Sequence, residues 1–264
     1  MLVAIAAAIG PALDEHPSRG KNIAAGLTAE GTPLPPSAAY PMGTDSLGRC
    51  VSARVFDAAR LSLAVAAGAT ILAVLIGLLV GLAAGYAGGT VDSLLMRFTD
   101  VLLSFPFLLI AIALAAALGA EGSSALSLVA VLGFVGWTGL ARVVRAEAQL
   151  LRGREFVQAA RALGAGHSRI VVRHILRNLI GPVVVLATLL FAQMILAESA
   201  LAYLGLGVPP PSPTWGRMLH ESLASMRGAP WMAMAPGIAS FVTVLGVNLL
   251  GDGFRAVLNP RRAS

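Results

Sequence analysis

Residues 61–91 read LSLAVAAGATILAVLIGLLVGLAAGYAGGTV, a run of 31 residues without a charged side chain between Arg60 and Asp92. A helix that crosses the hydrocarbon core of a bilayer needs roughly 20 apolar residues, so this run predicts a membrane-spanning helix. The composition of the 264-residue chain agrees, because 57% of it is hydrophobic and only 12% is charged. A soluble domain carries about 25% charged residues. We therefore expect lipid or large partner proteins to cover most of its exterior.

Four more uncharged runs have the length of a membrane crossing: residues 101–120, 122–141, 178–197 and 228–251. Residues 1–13 are also uncharged, but they are few, and they form either a short sixth span or the end of a longer one. We favour the short sixth span. The predicted fold class is all-α, a polytopic membrane helical bundle with five transmembrane helices, a short N-terminal sixth and a cytoplasmic coupling helix.

One further uncharged run, residues 199–216, is predicted to be an ordered loop. Proline has no backbone N–H to donate and favours extended backbone, so a cluster of prolines opposes a continuous helix. Four prolines lie within this run: Pro209, Pro210, Pro211 and Pro213.

The placement of arginine predicts the orientation of the chain. Segment 141–178 holds eight arginines and two glutamates, whereas 14–60 has five basic and five acidic residues and 198–230 has two of each. Loops rich in Lys and Arg remain in the cytoplasm. If the five spans alternate, 141–178 and the C-terminus are cytoplasmic, and residues 14–60 and 202–230 lie outside.

Several function classes lose support from the sequence. The basic residues are not interleaved with aromatic ones, as a nucleic-acid surface would require. Lys21 is the only lysine, and no glycine-rich turn precedes it at the spacing of a phosphate-binding loop, so we expect no ATP hydrolysis by this chain. Cys50 is the only cysteine and the four histidines are scattered, so neither a metal site nor a catalytic grouping is predicted. The charges lie at the ends of the spans, which argues against a proton relay.

Three glycines in the first span share one helix face. Gly77, Gly81 and Gly85 repeat at a spacing of four, which allows close helix–helix approach. We interpret this face as packing within the bundle, with a lining of the translocation path as the second interpretation.

Residues 153–180 read GREFVQAARALGAGHSRIVVRHILRNLI and predict two short helices joined by a turn. In the first, Phe156, Ala160 and Leu163 form one apolar stripe, and Gly164 stands where a C-terminal glycine belongs. Ser168 is predicted to cap the second helix. An interfacial helix with arginines on lipid phosphates and a docking helix for a soluble partner both remain open from these residues alone. The second helix has an apolar and a basic stripe: Val171, Ile175 and Leu179, and Arg169, Arg173 and Arg177.

The stretch Gln158-Ala-Ala-Arg-Ala-Leu-Gly164, with His174-Ile-Leu-Arg-Asn178, resembles the EAA coupling loop of bacterial ABC importer permeases. The usual form is Glu-Ala-Ala-x-x-x-Gly followed by Ile-Leu-Pro-Asn. Here Gln158 replaces the glutamate and Arg177 replaces the proline. The glutamine can still form hydrogen bonds, but a salt bridge made by the family's glutamate would be absent.

Further blocks resemble the C-type subunit of the dipeptide/oligopeptide/nickel permease family, in the same order along the chain. Together they cover about residues 40–220, and Cys50 stands where that family usually has aspartate. The blocks are Gly43-Thr-Asp-Ser-Leu-Gly-Arg49 with Ala59-Arg-Leu-Ser-Leu63, Ala84-Gly-Tyr-Ala-Gly-Gly89 with Phe105-Pro106, and the run Glu198-Ser-Ala-Leu-Ala-Tyr-Leu-Gly-Leu-Gly-Val-Pro-Pro210 with Trp215-Gly216.

The resemblance implies a non-catalytic permease subunit in the bacterial plasma membrane, forming half of the path of an ATP-driven importer for di- or oligopeptides. It implies a B-type permease, two ATP-binding subunits that hold ATP and magnesium, and an extracytoplasmic substrate-binding protein as partners. No cofactor is expected on this chain. Similar permeases carry nickel, glutathione or other peptide-like ligands. A less favoured alternative is an ATP-independent channel or a membrane assembly factor.

The resemblance also assigns residues to two groups of contacts and divides the chain into three regions. The regions are 1–57, a short N-terminal helix and an extracytoplasmic segment; 58–254, the transmembrane domain with a coupling loop at 142–178 and an outer loop at 202–230; and 255–264, a cytoplasmic tail. For Asp45, Arg49, Glu198 and Trp215, structural roles are the alternative to docking, and Arg97 and Asp100 are expected in an ion pair or gate contact. The ATPase contacts are Glu155, Phe156, Gln158, Ala159, Ala160, Leu163 and Gly164, and the extracytoplasmic docking or gate residues are Asp45, Arg49, Glu198, Tyr203 and Trp215.

Overall fold

The computed structural model describes residues 22–119 and 122–258, and this part of the chain is mostly helical. It contains no β-strand, only two isolated bridges, Leu27 with Pro33 and Thr44 with Cys50. The predicted sixth span at 1–13 and the end of the tail lie outside the described residues. The helices are α1 (Ile23–Gly26), α2 (Val51–Ala87), α3 (Gly89–Leu103), α4 (Phe107–Leu118), α5 (Ala125–Gly136), α6 (Thr138–Arg152), α7 (Glu155–Ala162), α8 (His167–Arg169), α9 (Arg177–Tyr203), α10 (Trp215–Ser222) and α11 (Trp231–Leu258).

Three helices are long and apolar enough to cross a membrane. They are Val51–Ala87, a continuous helix His167–Tyr203 that joins α8 to α9, and Trp231–Val257. Within the described residues, these three helices cover most of the predicted spans 61–91 and 228–251 and all of 178–197. Several apolar helices in one chain support a multi-pass membrane protein.

The other two predicted spans are broken helices. The pair α3 and α4 bends by 84°, and the pair α5 and α6 bends by 44°, so the described residues hold up to five spans if each pair counts as one. The first break has a local cause, because Pro106 follows it, and a residue before proline is disfavoured in helical backbone. Residues 204–214 contain no helix, which confirms the predicted loop around the prolines, whereas residues 199–203 belong to α9 and 215–216 begin α10.

The chain divides into two compact units, and α2 contributes to both. One, here called unit A, comprises residues up to 67 together with 112–129 and 192–247. The other, unit B, comprises 68–111, 130–191 and the residues from 248 onward. The loop around α7 belongs to unit B, and the segment around Asp45 belongs to unit A.

In unit B the glycine face of α2 packs directly against α6. A Cβ on Gly77 would lie 2.6 Å from a methyl group of Leu140, and one on Gly85 would lie 2.6 Å from the Arg145 carbonyl oxygen. At Gly81 the nearest atoms are the Ala141 carbonyl oxygen at 2.6 Å and Val144 Cβ at 2.7 Å. No larger side chain fits at these distances. The face therefore serves helix packing, the first of the two interpretations.

We expect Gly81→Ala to destabilise the protein by about 1–3 kcal/mol, because the added methyl group forces α2 and α6 apart. The measurement is the thermal unfolding midpoint of the chain purified in detergent. Gly246→Ala is the matched control, since a Cβ there meets nothing within 4 Å. Equal midpoints for the two variants would contradict the close packing of the glycine face.

Candidate functional site

Helix α7 is a two-turn helix closed by a glycine. Gly164 has φ +79°, a left-handed conformation that glycine adopts without a steric cost. Its N–H donates to the Arg161 carbonyl oxygen at 2.9 Å, and the Ala165 N–H donates to that of Ala160 at 3.0 Å. This pair of bonds is the Schellman motif. The prediction that Gly164 ends the helix is confirmed.

One residue anchors α7 to the rest of unit B. Val157 is completely buried, while Phe156 is 42% and Leu163 is 88% exposed. The predicted stripe of Phe156, Ala160 and Leu163 is therefore not the packed face, because this short helix touches the core through the neighbouring position. The cluster around Val157 consists of Leu140, Val144, Ala148, Ile170, Ile175 and Leu179.

The second helix of the loop differs from its prediction in two ways. Its N-cap is Gly166, without a side-chain cap, and Ser168 lies inside the helix, so the cap at Ser168 is wrong. Residues Ile170–Leu176 form a π-helix, which has a wider turn than an α-helix. As a result the buried residues are Ile170, Ile175 and Leu179, with spacings of five and four, and the stripe through Val171 is wrong. Arg177 follows as the exposed first residue of α9.

A pocket of about 760 Å³ lies beside α7, here called the α7 pocket. Tyr86 stands at its centre: its hydroxyl lies 2.7 Å from Nδ1 of His167, and the Arg161 guanidinium carbon lies 5.7 Å from its ring centroid. Arg152 donates from Nη1 to the Tyr86 carbonyl oxygen at 2.8 Å. Gln158, the departure from the family motif, faces this pocket. The lining residues are Tyr86, Ala87, Gln149, Arg152, Gly153, Gln158, Arg161 and His167.

Two other arginines of α6 are paired with α3. Arg145 donates to both carboxylate oxygens of Asp92, at 2.7 Å for the Nη2–Oδ2 bond, and Gln149 donates to the same carboxylate at 3.0 Å. Arg142 pairs with Asp100, and both side chains are about half exposed. Asp100 therefore has an ion-pair partner, as expected, but the partner comes from the next span rather than from Arg97.

In unit A, two carboxylates and two guanidiniums form a closed ring. Asp45 Oδ2 accepts from Arg49 Nε at 2.7 Å and from Arg54 Nη1 at 2.5 Å. Glu221 Oε2 accepts from Arg49 Nη2 at 3.0 Å and from Arg54 Nη2 at 2.8 Å. Arg217 adds one bond to the other Glu221 oxygen at 3.0 Å. The ring ties the segment before α2 to α2 itself and to α10.

Burial makes this ring a structural element. The side chains of Asp45 and Arg54 are 2% and 3% exposed, and Asp45 also accepts from the backbone N–H groups of Leu47 and Arg49 at 2.9 Å. Burial raises the pKa of Glu221, but the charges of Arg54, Arg49 and Arg217 outweigh it and hold that pKa below the ordinary 4.5. A lowered pKa means that the ionised carboxylate stabilises the fold above about pH 4.5, and that this contribution is lost as the pH falls further.

The remaining extracytoplasmic candidates lie close to one another. Trp215 is completely buried; its backbone N–H donates to Ser62 Oγ at 3.2 Å and its indole N–H to the Val55 carbonyl oxygen at 3.1 Å. Ser62 Oγ in turn donates to Glu198 Oε2 at 3.0 Å. A Cβ on Gly216 would lie 2.3 Å from the Ser199 carbonyl oxygen, so α10 begins directly against α9.

Tyr203 differs from the other candidates because it is 40% exposed. Its carbonyl oxygen accepts from His220 Nδ1 at 2.6 Å. Asp45, Glu198 and Trp215 are buried in this conformation, which fits structural roles for them better than direct docking. Within residues 22–119 and 122–258, no three His, Cys, Asp or Glu side chains form a group that could hold a metal ion.

Sequence reasoning missed three residues that hold these sites together. Val157, Arg54 and Glu221 are not among the site residues predicted from the sequence. Arg54 and Glu221 form an ion pair although they are 167 positions apart in the chain. No local pattern indicates such a pair. The sequence gives only a weak indication that Val157 is buried, because it is the β-branched apolar residue of α7.

We expect Arg54→Gln to cost roughly 3 kcal/mol of stability, because it leaves Asp45 buried with fewer partners. Arg217→Gln, the same change beside the ring, removes a partly exposed ion pair with Glu221 and a long hydrogen bond to the Val208 carbonyl oxygen, and should cost about 1 kcal/mol or less. The measurement is denaturant unfolding of the purified chain at neutral pH. As a second readout, Glu221→Gln should flatten the loss of stability below about pH 4.5. Equal costs for both arginines would contradict a ring centred on Arg54.

Comparison with known proteins agrees with this architecture. The chain is 42% identical over 229 residues to the dipeptide transport system permease protein DppC of Alkalihalophilus pseudofirmus, covering 87% of this chain and 74% of the relative. It is 44% identical over 226 residues to the glutathione transport system permease protein GsiD of Shigella flexneri, covering 86% and 74%.

A solved structure shares the fold. A chain of the inward-facing MetNI methionine ABC transporter superposes with a TM-score of 0.56 at 18% identity, covering 75% of this chain and 93% of that one. Residues 58–264 match the family described as the inner membrane component of binding-protein-dependent transport systems. The protein therefore belongs to that family of inner-membrane transport components.

Proposed function

We propose that this chain is one of the two membrane-spanning permease subunits of an ATP-driven importer for di- or oligopeptides. The observation that carries the proposal is the construction of α7: a glycine-closed helix anchored by Val157, with Phe156 and Leu163 directed away from the core. Exposed apolar side chains on a short helix are suited to a groove on a partner protein.

The anchor lets α7 act as a lever on the spans. Val157 packs against Leu140 and Val144 of α6 and against Ile175 and Leu179 around the start of α9. Close-packed cores transmit displacement because they have few voids. A partner that moves α7 would therefore displace the helices before and after the loop. In this way, closure of the two ATP-binding subunits on ATP would change the tilt of the membrane spans.

The proposal requires a particular orientation. Segment 142–178 and the tail from 255 would lie in the cytoplasm, and residues 14–57 and 202–230 would lie outside, in agreement with the excess of arginine in 141–178. Each bent helix pair then counts as one span, which gives five spans in residues 58–254. Residues 1–13 would add a short sixth span.

The proposed partners follow from the missing phosphate-binding loop and from the exposed residues of α7. Its sequence has no phosphate-binding loop, so ATP and magnesium would bind to two ATP-binding subunits, one of them seated on α7. Glu155, Gln158 and Ala159 are exposed on α7 and Ala160 is half-buried, so this helix offers a polar surface around Phe156. A B-type permease would complete the path, and an extracytoplasmic binding protein would deliver the substrate.

On the outer face, the ring of Asp45, Arg49, Arg54 and Glu221 would hold the approach to the pore in one shape. Arg49 is 11% exposed on its side chain and Tyr203 is 40% exposed. These two are the candidates for direct contact with the binding protein, whereas Asp45, Glu198 and Trp215 would position them.

The main support for a peptide substrate is the similarity to a dipeptide permease over 87% of the chain. A glutathione permease is similar over 86%, and glutathione is itself peptide-like. Nickel or another peptide-like ligand remains the alternative, and an ATP-independent channel or assembly factor is a different class that the same experiments test.

We expect Gly164→Val to uncouple ATP hydrolysis from uptake. A β-branched residue is strained at φ +79°, so the end of α7 would unwind and the lever would lose its seat on the ATPase. Uptake by vesicles that contain the assembled transporter should fall by at least tenfold, while the amount of the chain in the membrane stays unchanged.

Gly166→Ala is the matched control, because Gly166 has an ordinary φ of −67° and open space around it. Its uptake should remain close to that of the unchanged protein. Normal uptake in Gly164→Val would contradict the coupling role. Uptake that persists after the ATP-binding subunits are inactivated would instead favour the ATP-independent channel.

The substrate is best identified on the binding protein encoded beside this chain. We expect calorimetric titration to show tighter binding of dipeptides and short oligopeptides than of glutathione or a nickel complex. Vesicle uptake of the same ligands supplies the check on the assembled transporter. Saturable binding of glutathione without binding of dipeptides would contradict the peptide assignment and make glutathione the substrate.

A further inference from the structure

We propose that the α7 pocket binds a phosphate group, supplied by the headgroup of an anionic phospholipid or by a soluble phosphate compound. The proposal rests on the proposed function in one respect, because the orientation given above places the pocket at the cytoplasmic surface of the membrane.

The first support is positive charge without a carboxylate in the pocket lining. Arg152, Arg161 and His167 line the pocket, and no carboxylate does. Among the described residues, neither Arg152 nor Arg161 forms an ion pair, whereas two other arginines of α6, Arg142 and Arg145, are each paired with an aspartate. Asp92 also attracts Arg152 from a distance, but its carboxylate bonds Arg145 and Gln149, so Arg152 has no direct acidic partner.

The second support is the set of N–H donors that remain. Arg152 uses Nη1 on the Tyr86 carbonyl oxygen, which leaves Nε and Nη2 for a ligand. Arg161 rests over the Tyr86 ring, an arrangement that orients a guanidinium without using its donors. Gln158 adds a carboxamide. Guanidinium groups match phosphate oxygens in pairs, which makes arginine the usual residue for phosphate recognition.

Size and position favour phosphate over the carboxylate of a docked protein. The pocket volume of about 760 Å³ lies in the range of small-molecule sites, so it has room for a phosphate group together with the headgroup or small molecule that carries it. Tyr86 and Ala87 are the last residues of α2, and a spanning helix ends near the lipid headgroups. Basic pockets between helices on the cytoplasmic side are suited to phosphorylated headgroups.

Gln158 keeps the α7 pocket free of a carboxylate in this chain. At this position the resemblance implies a glutamate in related permeases, and such a carboxylate would lie in the pocket with the two arginines. It would occupy their donors and repel a second anion. With glutamine the donors stay available, so the departure from the family motif creates the anion site.

The test uses the assembled transporter in nanodiscs of phosphatidylcholine, with and without phosphatidylglycerol. Native mass spectrometry counts the phosphatidylglycerol molecules retained, and a titration with inorganic phosphate in phosphatidylcholine discs forms the second arm. We expect Arg161→Gln to weaken binding about tenfold, since a hydrogen bond to a charged group is lost. Arg169→Gln, an equal charge change in the same loop but outside the pocket, should leave binding unchanged.

Gln158→Glu provides an independent variant, which should also abolish binding by filling the pocket with its own carboxylate. Binding of phosphatidylglycerol alone assigns the site to a headgroup, and saturation by inorganic phosphate assigns it to a soluble compound. Equal binding in the Arg161 and Arg169 variants would overturn the proposal.

Co-purification of the ATP-binding subunits is recorded on the same samples. If Arg161→Gln releases those subunits and leaves anion binding intact, the pocket holds a carboxylate of the partner, and the phosphate proposal is wrong while the coupling role stands. If the unchanged transporter binds the anion but shows no ATP-driven uptake, the proposed function fails and the anion site stands.

Discussion

The complete burial of Val157 is the constraint on which the loop around α7 depends. A helix of eight residues has little stability of its own, and α7 exposes most of its side chains. Its position is therefore set by the burial of Val157, by Arg161 over the Tyr86 ring and by the Schellman turn at Gly164. Because Val157 enters a cluster formed by α6 and by the helix that becomes α9, the loop is mechanically continuous with two long helices. A flexible loop in its place could bind a partner but could not transmit its movement.

The segment before α2 depends on a different kind of interaction. Buried charges are costly unless they are paired and hydrogen-bonded, and Asp45 meets this condition through two guanidiniums and two backbone N–H groups. Arg54 and Arg49 each bridge Asp45 and Glu221, so α10 is bound to the start of α2 through both arginines. This explains how a proline-rich segment without helix, residues 204–214, can lead into a helix with a defined position. Within unit A, the ring and the Trp215–Ser62–Glu198 contacts fix both ends of the same helix.

The parts of the fold that could be predicted are those with a local cause. The length of an apolar run predicts a span, the proline cluster predicts its absence, and the glycine at 164 predicts a helix end, since each depends on neighbouring residues only. The bend at Pro106 was missed because the uncharged run 101–120 has the length of a span, and the helix instead begins at Gly89 and breaks after Leu103. The π-helix at Ile170–Leu176 moved the buried position from Val171 to Ile170, and a periodicity of 3.6 cannot anticipate an inserted residue. The ring of Asp45 and Glu221 could not be predicted, because its members meet only after unit A has folded.

Gln158 separates two properties that the family motif combines. The glycine at its end closes the helix and depends on backbone conformation, whereas the acidic residue at its start contributes charge. In this chain the first property is kept, with φ +79° at Gly164, and the second is replaced by a neutral carboxamide that faces Arg152 and Arg161. A lever needs a rigid end and a buried anchor, and neither requires a carboxylate at position 158. The role proposed for α7 is thus compatible with the substitution, which leaves Arg152 and Arg161 without a carboxylate at this position of the pocket.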